Sequence, residues 1–101
     1  GRKYEGIAKF PAVTRDISMV IPKEVLAGQI EEVIEQKGGS YLESFQLFDI
    51  YEGSQIKEGY KSVAYSIVFR GKDKTLEESD ISAAMKRILK GLEGLKAELR
   101  Q

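Results

Sequence analysis

A chain of 101 residues, 42% hydrophobic and 32% charged, has the size and make-up of one globular domain around a single core, which excludes a two-domain or disordered reading. It contains no cysteine and no histidine, which removes disulfides, the usual zinc and iron–sulfur ligands, the thiol nucleophile and the imidazole base. Its 16 basic residues balance 16 acidic ones, so broad electrostatics cannot hold a nucleic acid and any such site must be local.

Residues 1–14 lack periodicity and are expected to form an extended N-terminal segment, with Pro11 disfavouring a helix at Phe10. A βαββαβ core is expected over 15–101. In "RDISMVI" Ile17, Met19 and Ile21 alternate with Asp16, Ser18 and Val20, the period of a strand with one buried face, and Pro22 ends it. From Glu24 to Lys37, Leu26, Ile30, Val33 and Ile34 recur at helical spacing, and "GGS" at 38–40 supplies a left-handed stop. Tyr41–Tyr51, rich in aromatic and aliphatic residues, reads as a second strand, and "EGSQIKEG" as a polar loop. "KSVAYSIVFR" alternates large Val63, Tyr65, Ile67 and Phe69 with small residues and should pair with the second strand as an antiparallel hairpin.

After "GKDK", Thr75 and Glu78 have capping-box spacing, and Ile81, Ala84, Met85, Ile88 and Leu92 form one helical stripe. Gly91 and Gly94 are expected to loosen its end, before "LKAELR" alternates as a short last strand. This order predicts an α+β, ferredoxin-like sandwich: a four-stranded antiparallel sheet with two helices on one face, in a single domain. The apolar runs are too short to cross a bilayer, and the start lacks a basic stretch followed by an apolar one. A soluble, cytoplasmic protein without a membrane partner is therefore expected.

Alternation sorts the strands into two faces. Ile17, Met19, Ile21, Ile50, Val63, Tyr65, Ile67, Phe69, Ala97 and Leu99 should point to the helices. Asp16, Ser18, Ser62, Ala64, Ser66, Arg70, Lys96, Glu98 and Arg100 should lie on an open face with Asp49 and Tyr51. Asp49 and Tyr51 are two apart and Ser62 lies in the next strand, so the three can converge at one end of the hairpin. Phe10, Phe45, Phe48 and Phe69 are assigned to the core. "RGKDKT" lacks the first glycine and the hydroxyl after the lysine that a phosphate loop requires.

"FPAVTRDISMVIP", "LFDIYEG", "GYKSVAYSIVFR", "KTLEESDI" and "LKAELR" together resemble the C-terminal ferredoxin-fold anticodon-binding domain of the bacterial phenylalanyl-tRNA synthetase beta chain, over most of the chain. The resemblance implies a non-catalytic module that grips the anticodon stem-loop of the phenylalanine tRNA. It also implies that the rest of the beta chain and an alpha chain are partners in an α2β2 enzyme, whose ATP and Mg2+ are used elsewhere, with no cofactor in this domain. The family's F-D-hydrophobic-Y-x-G element falls on Phe48, Asp49, Ile50, Tyr51 and Gly53, and its K-S element on Lys61 and Ser62. By that match Tyr51 stacks on the first anticodon base, a guanine, while Asp49 and Ser62 supply polar contacts.

Those residue types suit the task, since single-stranded loops are read by stacking on aromatic rings and hydrogen-bonding exposed base edges. A carboxylate accepts from the paired N–H donors of guanine, which other bases do not reproduce. Its charge needs nearby cations, for which Lys57, Lys61, Arg70, Lys72 and Lys74 are candidates, with Arg15 as a further backbone contact. Two other classes stay open. One is a small acylphosphatase-like enzyme on the same fold, for which Arg15 is the only anion-binding candidate near the first strand. The other is a small-ligand-binding regulatory or assembly module.

Overall fold

The computed structural model of the chain describes residues 10–100. The elements follow in the expected order: β1 (Ala12–Pro22), α1 (Ala27–Lys37), β2 (Leu42–Tyr51), β3 (Tyr60–Arg70), α2 (Glu78–Glu93) and β4 (Glu98–Leu99). The strands form one antiparallel sheet in the order β2-β3-β1-β4, which makes β3 and β1 central and β2 an edge. With both helices on one face, this is the ferredoxin-like α+β sandwich.

The alternation that marks β1 and β3 as strands also builds the core. Ile17 pairs with Tyr65 and Met19 with Val63, and all four are buried. They meet Ile30 and Ile34 of α1 and Ile81, Ala84, Ile88 and Leu92 of α2 in one cluster. Each such side chain taken from water contributes about 1.5–3 kcal/mol, so this layer dominates stability. Tyr65 ties sheet to helix: its hydroxyl donates to Glu31 Oε2 at 3.0 Å. Burial, and then that bond, push its ionisation well above the usual phenol range.

Boundaries move where local chemistry competes with periodicity. β1 begins at Ala12, not Arg15, so 12–14 belong to the sheet; residues 1–9 of the expected extended segment lie outside the described residues. The first helix begins at Ala27 rather than Glu24. Leu26 is its extended N-cap, 67% exposed instead of core, and donates its N–H to Gln29 Oε1 at 2.8 Å; Val25 is buried in its place. Gly39 adopts the expected left-handed stop, with φ of 83°.

The second helix is capped at Glu77, whose N–H donates to Asp80 Oδ2 at 2.9 Å, not through Thr75 and Glu78. Gly91 lies within α2 and serves close packing rather than fraying: a Cβ there would come within 2.7 Å of Val33 Cγ1 on α1. The last strand is shorter than "LKAELR". A turn carries Lys96 at φ 68° and lets Ala97 N–H reach Leu92 O at 3.3 Å, so only Glu98 and Leu99 pair with β1. Leu95 and Ala97 still pack against the core, while Leu99 is exposed.

Candidate functional site

The open face of the sheet is a set of cross-strand rows. Tyr51 stands opposite Ser62, Ser62 opposite Val20, and Val20 opposite Glu98; the next row runs Asp49, Ala64, Ser18. Arg100 extends that second row, its N–H donating to Ser18 O at 2.8 Å. Asp49 and Tyr51 therefore come together beside Ser62, as their spacing predicts, with directly opposed Cβ atoms about 4.5–5.5 Å apart.

A bulge sets this end of β2. The register shifts between Leu47 and Asp49, and Phe48 is the extra residue. It is exposed, not core. Ile50 pairs with Val63 as expected for the helix side, yet it is 55% exposed: on this edge strand the last side chain packed on the core is Leu47, and the helix layer stops short of Ile50. The result is an exposed tip, Phe48–Tyr51, projecting from a rigid sheet.

Tyr51 is 43% exposed, and its ring lies over Gly53. A Cβ at Gly53 would collide with the Tyr51 hydroxyl and Cζ, while Gly53 itself needs no positive φ. Its part is to leave room for the ring. Beyond it, the 52–59 loop folds back on Ile56, which is buried, and Lys23 N–H bonds Gly59 O at 3.0 Å. A shallow depression of about 580 Å³ beside Gly53 is lined by Lys23, Glu52, Ile56, Lys57 and Tyr60 among others.

The expected cations do not gather here. Lys61 is 9% exposed, faces the helices and donates from Nζ to Val25 O at 2.7 Å, so it is a buried tether rather than a surface contact. Arg15 pairs with Ile67 on the helix side and forms an ion pair with Glu78 at 2.7 Å. It stands five residues along β3 from Ser62, about 17 Å away. Arg70 is on the open face but eight residues from Ser62, about 27 Å. There its Nε meets Glu43 Oε1 at 2.6 Å and its Nη1 donates to Phe10 O at 2.7 Å.

Lysines around the loop are paired as well. Lys57 bonds Glu98 Oε2 at 2.9 Å, which raises the lysine above its ordinary value, and lies 4.2 Å from the Tyr60 ring centre. Lys74 pairs with Asp80 and Lys23 with Glu52. The basic excess along the hairpin is thus largely spent internally.

One group missed as a site residue is Arg100. Alternation places it on the open face, but not beside Ser62, because that depends on β4 lying next to β1. From there its side chain crosses β1, and Nη1 donates to Ser62 Oγ at 3.0 Å. Ser62 itself is only 6% exposed. The site is therefore an aromatic ring, an acceptor-only carboxylate and a guanidinium fork on one flat face, a set suited to a planar, hydrogen-bonding ligand. Among the described residues no three His, Cys, Asp or Glu side chains cluster as metal ligands, and no helix is long and apolar enough to cross a membrane.

Residues 8–100 match the family model described as the ferredoxin-fold anticodon binding domain. The chain is 46% identical over 100 residues to the phenylalanine–tRNA ligase beta subunit of Clostridium acetobutylicum, covering 98% of this chain and 13% of that protein. It is 48% identical over 100 residues to that of Clostridium tetani, again covering 98% and 13%. With that of Bacillus subtilis it shares 44% over 90 residues, 89% of this chain and 11% of the relative. The chain thus spans about an eighth of the length of these relatives.

Proposed function

Since the chain belongs to the family of ferredoxin-fold anticodon binding domains, we propose that it binds the anticodon stem-loop of the phenylalanine tRNA and reads the first anticodon base on the open face at Asp49 and Tyr51. The observation that carries this reading is the exposure of Tyr51 and Asp49 side by side on the bulged end of β2, a placement that core packing does not require. Tyr51 stacks on the base, a contact worth about 1–3 kcal/mol that does not select among bases. Asp49 supplies selection, because its two oxygens accept from the N1–H and N2–H2 donors on the Watson–Crick edge of guanine. Ser62 forms the floor beside them.

The relatives' name, phenylalanine–tRNA ligase beta subunit, supports a ligase setting for the domain. On the family resemblance, the domain supports aminoacylation carried out elsewhere in the enzyme, where ATP and Mg2+ act, and its protein partners are the rest of the beta chain and the alpha chain of an α2β2 assembly in the cytoplasm. Lys61, Arg15 and Arg70 lie too deep or too far to join the base site. Any RNA contact from Arg15 or Arg70 falls on a different stretch of backbone.

The test is titration of this chain with the phenylalanine anticodon stem-loop, at stated salt because the phosphate contribution depends on it. Amide resonances of Asp49, Tyr51 and Ser62 should shift, and absence of any shift at millimolar stem-loop overturns the reading. Asp49→Ala should reduce discrimination between guanine and adenine at the first anticodon position. Equal weakening for both bases would remove Asp49 from base reading while leaving stem-loop binding intact.

A further inference from the structure

We propose that Arg100 reads the O6/N7 edge of the purine bound at Tyr51, and that Ser62 acts through Arg100 as its positioning residue. This rests on the anticodon reading above and assigns the second edge of the same base. Ser62 is 6% exposed, so its hydroxyl offers a ligand little surface, whereas Arg100 is exposed. The bond runs from Arg100 Nη1 to Ser62 Oγ at 3.0 Å, with the serine accepting. A serine in the middle of a sheet thereby holds an arginine head that would otherwise sweep through many rotamers.

The head is held in the right place. Ser62 is directly opposite Tyr51, and Asp49 is one row away on the same strand as Tyr51. A base lying on the Tyr51 ring therefore has the Arg100 head, held at Ser62, about one strand spacing away across the sheet and Asp49 about 7 Å away along β2. The backbone of Arg100 is fixed by its N–H bond to Ser18 O at 2.8 Å. Glu98, two residues before it on β4, is engaged by Lys57 at 2.9 Å.

The chemistry separates the two edges. Asp49 can only accept, so it takes the N–H donors of guanine. A guanidinium can only donate, through a planar fork that matches the adjacent O6 and N7 acceptors. Adenine fails on both sides: its N1 carries no hydrogen and its C2 no amino group to offer Asp49, and it presents an amino group to Arg100 where guanine presents O6. One anchored arginine also offsets the repulsion between Asp49 and the RNA backbone.

The test compares stem-loops with guanosine, 7-deazaguanosine or inosine as the first anticodon nucleoside, bound to wild type, Arg100→Ala, Arg100→Lys and Ser62→Ala, each checked for an unchanged melting transition. Wild type should bind the 7-deaza stem-loop about five- to tenfold more weakly than the guanosine one. That ratio should fall towards one in both Arg100 variants, lysine included because it lacks the fork. It should fall in Ser62→Ala as well. The inosine ratio, which reports the N2 amino group and Asp49, should persist in all three. If Arg100→Ala weakens the guanosine and 7-deaza stem-loops equally, the arginine acts as charge alone and the proposal fails while anticodon binding stands. An intact ratio in Arg100→Lys and Ser62→Ala overturns the fork and the anchor respectively. Wild type that binds no stem-loop overturns this proposal together with the anticodon reading.

Discussion

The β2–β3 hairpin carries polar residues on its open face at both ends, and the two ends are built in opposite ways. At one end Arg70 meets Glu43 with Nε at 2.6 Å and Nη2 at 3.3 Å, and donates a third bond to Phe10 O. A forked arginine–carboxylate pair of this kind is already satisfied, so an incoming phosphate would have to displace it. At the other end Tyr51 and Asp49 are exposed, and among the described residues the Asp49 carboxylate is in no hydrogen bond or ion pair. Arg100 there bonds a neutral hydroxyl, not a carboxylate. Charge content alone thus ranks the ends wrongly: the more basic stretch is the closed end, and the ligand-ready groups sit where the net charge is small.

The sharpest test of that contrast is Tyr51→Ala. Losing one stacking platform should lower stem-loop affinity by about 1–3 kcal/mol, with little change in melting temperature because the ring is not core. Unfolding instead would make Tyr51 a structural residue and erase the distinction between the ends. Gly53→Ala should give a smaller loss by the same route. The added methyl collides with the end of the Tyr51 side chain, which can swing away, so binding should weaken while the fold persists. Combined with Tyr51→Ala, the glycine change should then cost nothing further, a coupling that a direct RNA contact by the loop would not show.

At the closed end the expectation reverses. Arg70→Ala should lower the melting temperature by loosening β2 and the Phe10 segment, yet leave stem-loop affinity at constant salt within about twofold, as for a charge about 27 Å from the site. A large affinity loss in Arg70→Ala, with the melting transition intact, would instead extend the RNA footprint along the whole hairpin.

The sequence makes the central strands and the stripe of α2 legible because each has one buried face, and one buried face imposes one period. It also places Asp49, Tyr51 and Ser62 on one face of adjacent hairpin strands, since alternation fixes the face, while the register that sets Tyr51 opposite Ser62 comes with the Phe48 bulge. What it hides is set by non-local packing. Ile50 obeys the period but is exposed, because nothing in an alternation says how far the helices reach over an edge strand. Lys61 and Arg15 look like surface cations, but one tethers the 22–26 segment through Val25 O and the other clasps α2 at Glu78. Arg100 depends on the crossover that lays β4 against β1, and a six-residue alternation cannot announce its partner.

The smallest expected effect concerns acid, and it too separates the two ends. Glu43 is held below its ordinary value of 4.5 chiefly by the hydrogen bond from Arg70, which outweighs the opposing effect of burial and is joined by the guanidinium's charge. Asp80 is held below 3.8 by the Glu77 N–H at the α2 cap and by Lys74. A carboxylate with a depressed folded-state pKa contributes stability that is complete above its unfolded value and is lost as the pH falls through the folded one. The melting temperature should therefore be flat with respect to these two groups down to the ordinary carboxylate range and decline below it. Glu43→Gln and Asp80→Asn together should lower the neutral-pH plateau and shallow the acid decline. An acid limb as steep as wild type in that double variant would show that the lost stability resides in other carboxylates, and that the Arg70 end is no more firmly closed than the end bearing Tyr51.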